Sequence, residues 1–232
     1  VRQVPAAPAR RRARRGPGVT LVVVPLGSWE QHGPHLPPDT DSVIISAVVA
    51  AAAGGRHGVT VAPTLGITAS DEHAGFGGTL SIGTEAMAAA VVAIARSAYW
   101  ASGVLFANGH GGNAGALAVA REAMDREGLV HDEWSLPPYD GADLHAGRTE
   151  TSVMLHIAPG SVDMSRAVAG ATGTAEELLA PMRAGGVRAV SPTGVIGDPT
   201  TATADHGKAV FAMWAASLSR RLDSLAEQWG EQ

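Results

Sequence analysis

Val22-Val23-Val24-Pro25-Leu26-Gly27-Ser28-Trp29-Glu30-Gln31-His32-Gly33-Pro34-His35-Leu36-Pro37-Pro38-Asp39-Thr40-Asp41 is the stretch on which the reading of the fold turns. A β-branched run breaks at Pro25 and Gly27. A loop then carries Glu30, His32 and His35 before a second pair of carboxylates at Asp39 and Asp41. The pattern is that of a buried strand delivering a loop of metal ligands. Side chains alternate in extended chain, so Glu30 and His32 can point the same way, and Asp41 can return to them after the turn forced by Pro34, Pro37 and Pro38.

Outward from that stretch, helix and strand signals alternate. An almost continuously apolar strand is expected at 19–24, a helix at 42–53 stopped by Gly54-Gly55, and a short strand at 59–63. The segment 67–84 is rich in Gly, Ser and Thr and carries Asp71, Glu72 and His73 ahead of Phe76-Gly77-Gly78-Thr79. A loop of that length without structure of its own is usually functional or mobile. An alanine-rich helix at 84–100 follows, then a strand at 104–107, the loop Asn108-Gly109-His110-Gly111-Gly112-Asn113, and a helix ending at Arg126 with Leu117, Ala120 and Met124 on one stripe. A strand is expected at 129–136. Asp143 to Ser152 opens a short helix that stops at Pro159-Gly160, and 161–203 gives no clear assignment. Phe211, Trp214, Leu218, Leu222, Leu225 and Trp229 mark an amphipathic C-terminal helix. Strands alternating with helices predict a three-layer α/β domain: a mainly parallel β-sheet flanked by helices on both faces, spanning 19–232.

Composition narrows the chemistry. The 232 residues include no cysteine, which removes disulfides, thiolate metal sites and cysteine nucleophiles and leaves histidine and carboxylate as ligands. Six of the 17 basic residues are arginines before Gly18, where no acid stands, so the remainder carries 11 basic against 22 acidic residues. The segment 1–18 reads as a disordered, solvated basic arm. It lacks the apolar core of a secretory signal, and no apolar run suggests a membrane span. A cytoplasmic protein with an acidic body, without nucleic-acid or membrane partners, is the expectation.

Ligands in open α/β sheets bind at the carboxyl ends of the strands. Three ligand-bearing segments meet that description: Glu30 to Asp41, His110, and His145 to Glu150. Brought to one edge, they would make a pocket so acidic that cations must neutralise it. Plainer readings stand beside this one: a tight turn capped by Asn113, a surface loop with Thr149 or Thr151 capping a helix. His57, His131 and His156 read as structural, and His206 as a helix-face residue. A mixed histidine and carboxylate set suits Zn, Mn or Fe. If Asp41 bridges two ions ~3.5–4 Å apart, the water between them becomes a hydroxide nucleophile near neutral pH, which predicts amide hydrolysis. No Gly-x-Ser-x-Gly elbow or phosphate-binding loop competes.

Taken together, Gly27 to Asp41, Asn108-Gly109-His110-Gly111-Gly112-Asn113 and His145-Ala146-Gly147-Arg148-Thr149-Glu150-Thr151-Ser152 resemble the creatininase (creatinine amidohydrolase) family, in the same order along 19–226. The resemblance implies a creatininase-like fold and two divalent ions per subunit. Glu30 would be a ligand of one ion, His32 of the other, Asp41 the bridge, and His110 would complete the first set. The family carries a second-ion glutamate two residues after the histidine matching His110, where this chain has Gly112, so Glu150 is expected to supply that carboxylate. His145 matches the family's catalytic histidine, with Glu150 beside it at the reacting centre. The usual Phe-Pro-Gly-Thr stands as Phe76-Gly77-Gly78-Thr79, and the arginine arm has no family counterpart. Residues 183–199 and 78–84 are most similar to the branch that trims a modified, Val-Tyr-derived C-terminal dipeptide from a short ribosomally made precursor peptide. The resemblance thus implies a peptide substrate and a homo-oligomer, hexameric in this family. Other amide hydrolysis in the same fold, of creatinine, another cyclic amide or a formamide, and a metal-free peptide- or nucleic-acid-binding role remain as alternatives.

Overall fold

The computed structural model describes residues 20–139, 141–173 and 175–230, so the basic arm expected at 1–18 lies outside the described residues. Four parallel strands, β1 (Leu21–Leu26), β2 (Val59–Val61), β3 (Gly103–Asn108) and β4 (His131–Ser135), form one sheet in the order β2-β1-β3-β4. Helices α1 (Thr40–Ala53), α2 (Gly83–Ser97), α3 (Ala114–Arg126), α4 (Arg148–Ile157), α5 (Ala175–Gly185) and α6 (Ala204–Gly230) complete the named elements.

The central strands are apolar on both sides because both sheet faces are covered. Their alternating side chains divide the interior into two cores. Leu21, Val23, Leu105 and Ala107 face α1, α4 and α6, meeting Ile45, Val49, Met154, Leu218 and Leu222. Val22, Val24, Leu26, Val104 and Phe106 face α2 and α3, meeting Met87, Val91, Leu117, Ala120 and Met124. The three-layer α/β expectation is thereby met, and the apolar stripe of α6 is buried from Trp214 to Trp229.

β1 continues through Pro25, where the sequence suggested a break. The Pro25 carbonyl accepts the N–H of Leu65 at 3.0 Å on the β2 side, and β2 ends at Val61, so proline's missing donor costs no ladder bond. The segment 161–203, unassigned from sequence, contains α5 and short 3₁₀ turns. Its residue Ile196 bridges to His145, donating its N–H to the His145 carbonyl at 2.8 Å.

Candidate metal centre

Each strand of the sheet sends a loop from its carboxyl end to one place, as open parallel sheets do. The loop after β1 brings Glu30 and His32, and Asp41 in the first turn of α1. The loop after β3 brings His110. The chain after β4 brings His145, with Glu150 in the first turn of α4. The loop after β2 brings Glu72 and His73 on a 3₁₀ turn, Asp71–His73.

Buried asparagines tie these loops together. Asn108 accepts the N–H of His110 at 3.2 Å and donates to its carbonyl at 2.9 Å. Asn113 donates to Asn108 Oδ1 at 3.0 Å and to the Gly27 carbonyl at 3.3 Å, and accepts the Ala69 N–H at 3.2 Å. It therefore joins the β1, β2 and β3 loops rather than capping α3. Asp143 accepts the N–H groups of Arg148 and Thr149 at the start of α4, a role the sequence left to Thr149 or Thr151.

Three histidines share one arrangement. His32 donates Nδ1–H to the Glu30 carbonyl at 3.0 Å, turning Nε2 to Asp41 Oδ1 at 3.2 Å and Glu150 Oε2 at 3.9 Å. His110 donates Nε2–H to the Ala69 carbonyl at 2.9 Å, turning Nδ1 to Asp41 Oδ2 at 3.1 Å. His145 donates Nε2–H to the Gln31 carbonyl at 2.7 Å, leaving Nδ1 3.7 Å from Glu30 Oε1. A carbonyl only accepts, so in each neutral ring the other nitrogen carries the lone pair. It faces Asp41 in His32 and His110 and Glu30 in His145, while the Nε2 edge of His110 also lies 3.1 Å from Glu30 Oε2. Backbone carbonyls fix the tautomer of metal-ligating histidines in the same way.

Asp41 sits between the two halves. Glu30, Asp41 and His110 offer ligand atoms within 4.8 Å of one another, and so do His32, Asp41 and Glu150. Ser28 Oγ donates to Asp41 Oδ2 at 2.8 Å. Glu150 Oε2 also accepts the N–H of Ala146 at 2.6 Å, holding a buried residue with φ of 50° next to His145. A non-glycine residue in that left-handed region is strained, and such strain gathers at functional sites.

The charges in this cluster are far from ordinary. Burial pushes Glu30 and Glu150 each up to about 7. Burial would lower His32, but the Asp41 charge beside it prevails and raises it to about 10. Burial would raise Asp41, yet His32 and His110 hold it well below the usual carboxylate range. Burial and the neighbouring His32 and His73 drive His145 well below the ordinary imidazole value.

These residues fit a divalent metal ion. Glu30 is only 1% exposed, and neither of its carboxylate oxygens has a hydrogen-bond partner. Leaving a carboxylate so buried is expensive unless a cation faces it. The nitrogen and oxygen donors suit Zn, Mn or Fe.

The five expected ligands Glu30, His32, Asp41, His110 and Glu150, and the expected catalytic His145, are thus brought together. His35, from the same opening stretch, stands apart: its Nε2 meets Thr151 Oγ1 at 2.8 Å, and burial lowers it to about 4. Two residues were missed. His73 Nε2 lies 3.4 Å from Glu30 Oε1, its ring 4.4 Å from that of His145, and Glu72 Oε1 lies 3.4 Å from His110 Nε2. Asp71-Glu72-His73 within an otherwise small-residue loop was the available signal. His131 pairs instead with Asp125 at 3.1 Å, His156 packs on Phe211, and His206 lies on α6 against Tyr139.

The sequence pattern described as "Creatininase: Creatinine amidohydrolase" matches residues 9–222. The chain belongs to the creatininase family. Its relatives include proteins named mycofactocin precursor peptide peptidase. One, from Mycolicibacterium smegmatis, is 48% identical over 210 residues, 88% of this chain and 85% of the relative; another, from Mycobacterium tuberculosis, is 46% identical over 211 residues, 87% and 84%. Among solved structures, creatinine amidohydrolase superposes with a TM-score of 0.74 at 21% identity, covering 90% of each chain. A manganese form of creatininase gives 0.70 at 21% identity, covering 91% of this chain and 92% of its own. The creatininase fold expected from the motifs is thereby established, and with it a family of metal-dependent amide hydrolases. No described helix is long and apolar enough to cross a membrane.

Proposed function

We infer that this chain is a metal-dependent peptidase that releases a modified, Val-Tyr-derived C-terminal dipeptide from the mycofactocin precursor peptide. One observation carries the reading: three buried histidines each give one N–H to a backbone carbonyl and turn the other nitrogen onto carboxylates gathered around Asp41. The identity of 46–48% to the two named peptidases supports the substrate.

In this reading Glu30, Asp41 and His110 hold one ion and His32, Asp41 and Glu150 the other. Bound ions would polarise the scissile carbonyl and generate a hydroxide from water at neutral pH. The chain supplies the rest. Ser28 holds Asp41 in place between the two ligand sets. His145, neutral because burial and neighbouring charge lower its affinity for protons, presents Nδ1 as the site that takes a proton and returns it to the leaving amine. Glu150 keeps the Ala146 backbone, and so the His145 ring, in position. A cytoplasmic homo-oligomer, hexameric by likeness to the family, completes the reading, and light scattering after gel filtration measures its size.

The test is mass spectrometry of the metal-loaded protein incubated with precursor peptide carrying the modified C-terminus, and separately with creatinine and a formamide. Release of the dipeptide, with the other substrates slow, is expected. Faster turnover of creatinine or the formamide would sink the peptide assignment.

A further inference from the structure

We propose that Glu72 is a metal ligand of this centre, its carboxylate occupying the space that Gly112 leaves open beside His110. The proposal rests on the metal-dependent reading above and adds a ligand to it from the loop after β2.

Gly112 lies two residues after His110, on the 3₁₀ turn that follows β3. Its φ lies outside the left-handed range, so its backbone is one that any residue can adopt, and flexibility is not what glycine contributes here. Space is. A Cβ at this position would stand 2.0 Å from Glu72 Oε1, 2.3 Å from His110 Nε2 and 2.7 Å from the Ala69 carbonyl oxygen. Any side chain at 112 would expel the Glu72 carboxylate or tilt the His110 ring. The chain therefore lacks a carboxylate at 112 and has one in the same volume, delivered by a different strand's loop.

That loop is pinned from its other side. Gly186, with φ of 72°, follows α5, and a Cβ there would stand 2.7 Å from the Glu72 carbonyl oxygen. Only glycine permits both the angle and the approach, so the segment after α5 closes directly on Glu72. Within the centre, Glu72, His73 and Glu30 offer ligand atoms within 4.8 Å of one another. The Glu30 oxygens they face are buried and accept no hydrogen bond, with histidine rings around them, which is the independent sign that a cation belongs between them. Glu150 thus lies with His32 and Asp41, and Glu72 with Glu30 and His73 on the Nε2 edge of the His110 ring, away from its contact with Asp41. Glu150 stands on the His32 side, where the replacement for the family's glutamate is expected, and Glu72 adds a further carboxylate in the volume that glycine leaves open.

The experiment uses the full chain loaded with zinc. Zinc content after equilibrium dialysis and affinity by competition with a chromogenic chelator are compared for wild type and Glu72→Gln, with thermal melting as a check on folding. In parallel, the crystal structure of zinc-loaded wild type is determined, which needs no variant. The expected results are at least ~10-fold weaker binding of one ion in Glu72→Gln, and a Glu72 oxygen about 2.0–2.2 Å from zinc in wild type. The proposal is overturned if Glu72→Gln binds zinc with wild-type stoichiometry and affinity, or if the Glu72 carboxylate lies beyond bonding distance in the zinc-loaded structure. A wild-type chain that takes up no zinc, manganese or iron would instead overturn the metal-dependent reading and this ligand with it.

Discussion

His145 is held to Gln31 by a 2.7 Å hydrogen bond from its Nε2 to the backbone carbonyl, so Nδ1 is the nitrogen that looks into the centre. The Gln31 N–H is itself fixed, donating to Thr79 Oγ1 at 3.1 Å, which makes the Phe76-Gly77-Gly78-Thr79 segment a support for the proposed acid–base residue.

Replacing His145 by Gln separates proton transfer from metal binding. General acid–base catalysis contributes about 10²–10⁴-fold. Peptide cleavage should fall by that factor in kcat while metal content stays at the wild-type level, measured by single-turnover kinetics and elemental analysis. Loss of metal along with activity would reassign His145 as a ligand.

Asp41 should behave differently, because it faces both His32 and His110. On the proposed two-ion arrangement, Asp41→Asn takes an anionic ligand from both ions together. Elemental analysis should find substoichiometric metal and assays should find no turnover, even after stripping and reconstitution. Ser28→Ala leaves the carboxylate but removes its 2.8 Å hydrogen bond, and outer-shell changes of this kind weaken metal binding ~10–100-fold. A wild-type affinity in Ser28→Ala would remove Ser28 from the site.

Protons and metal compete for the same atoms, which gives the centre a signed pH dependence. Glu30 and Glu150, raised to about 7, and His32, raised to about 10, must all be free of protons to hold an ion. Loading near pH 7 should therefore release protons, and affinity should rise with pH by up to about tenfold per unit for each proton released. Calorimetry in buffers of different ionisation enthalpy counts them. Stability of the metal-free chain should run the other way. A group whose pKa is raised on folding favours the fold below its ordinary value, and that contribution is lost as pH rises through the folded value. For the two glutamates this window runs from 4.5 to about 7, and for His32 from 6.5 to about 10. The lowered His73 acts only below 6.5. Metal-free protein should melt at progressively lower temperature from about pH 7 to 9, and saturating zinc should flatten that slope. A metal-free melting temperature constant across that range would contradict the burial of these charges.

Much of this was legible in residue order because the signals were local. The unbroken apolar runs at Val22 and Val104 required strands covered on both faces, and Glu30, His32 and Asp41 sit on one short stretch of chain, a loop and the first turn of α1. His110 and His145 were legible from the glycines around them and from strand-end placement. Glu72 and His73 were not singled out, because what makes them site residues is a contact between loops on different strands. No spacing along the chain reports that Gly112 is empty for Glu72's sake. Pro25 misled for a related reason: whether proline ends a strand depends on which neighbour its nitrogen faces, and here β2 had already stopped.

Asn113 offers a test of how the loops are assembled without touching a proposed ligand. It is fully buried and joins the β1 loop through the Gly27 carbonyl, the β2 loop through the Ala69 N–H, and the β3 loop through Asn108. Asn113→Ala strands the Ala69 N–H and the second lone pair of Asn108 Oδ1 in a dry interior, and an unsatisfied buried group costs about 1–3 kcal/mol. For a chain of this size 1 kcal/mol moves the midpoint by roughly 2–4 °C, so a melting temperature lower by several degrees is expected. The Ala69 carbonyl also orients His110, so the loosened β2 loop should weaken metal binding in the same variant. Asn113→Asp keeps an acceptor for the Ala69 N–H but loses the donor to Gly27 and Asn108, and should fall no closer to wild type. If Asn113→Ala melted and bound zinc as wild type does, the three loops would have to be held by some other means, and the carboxylates they carry could not owe their convergence to this residue.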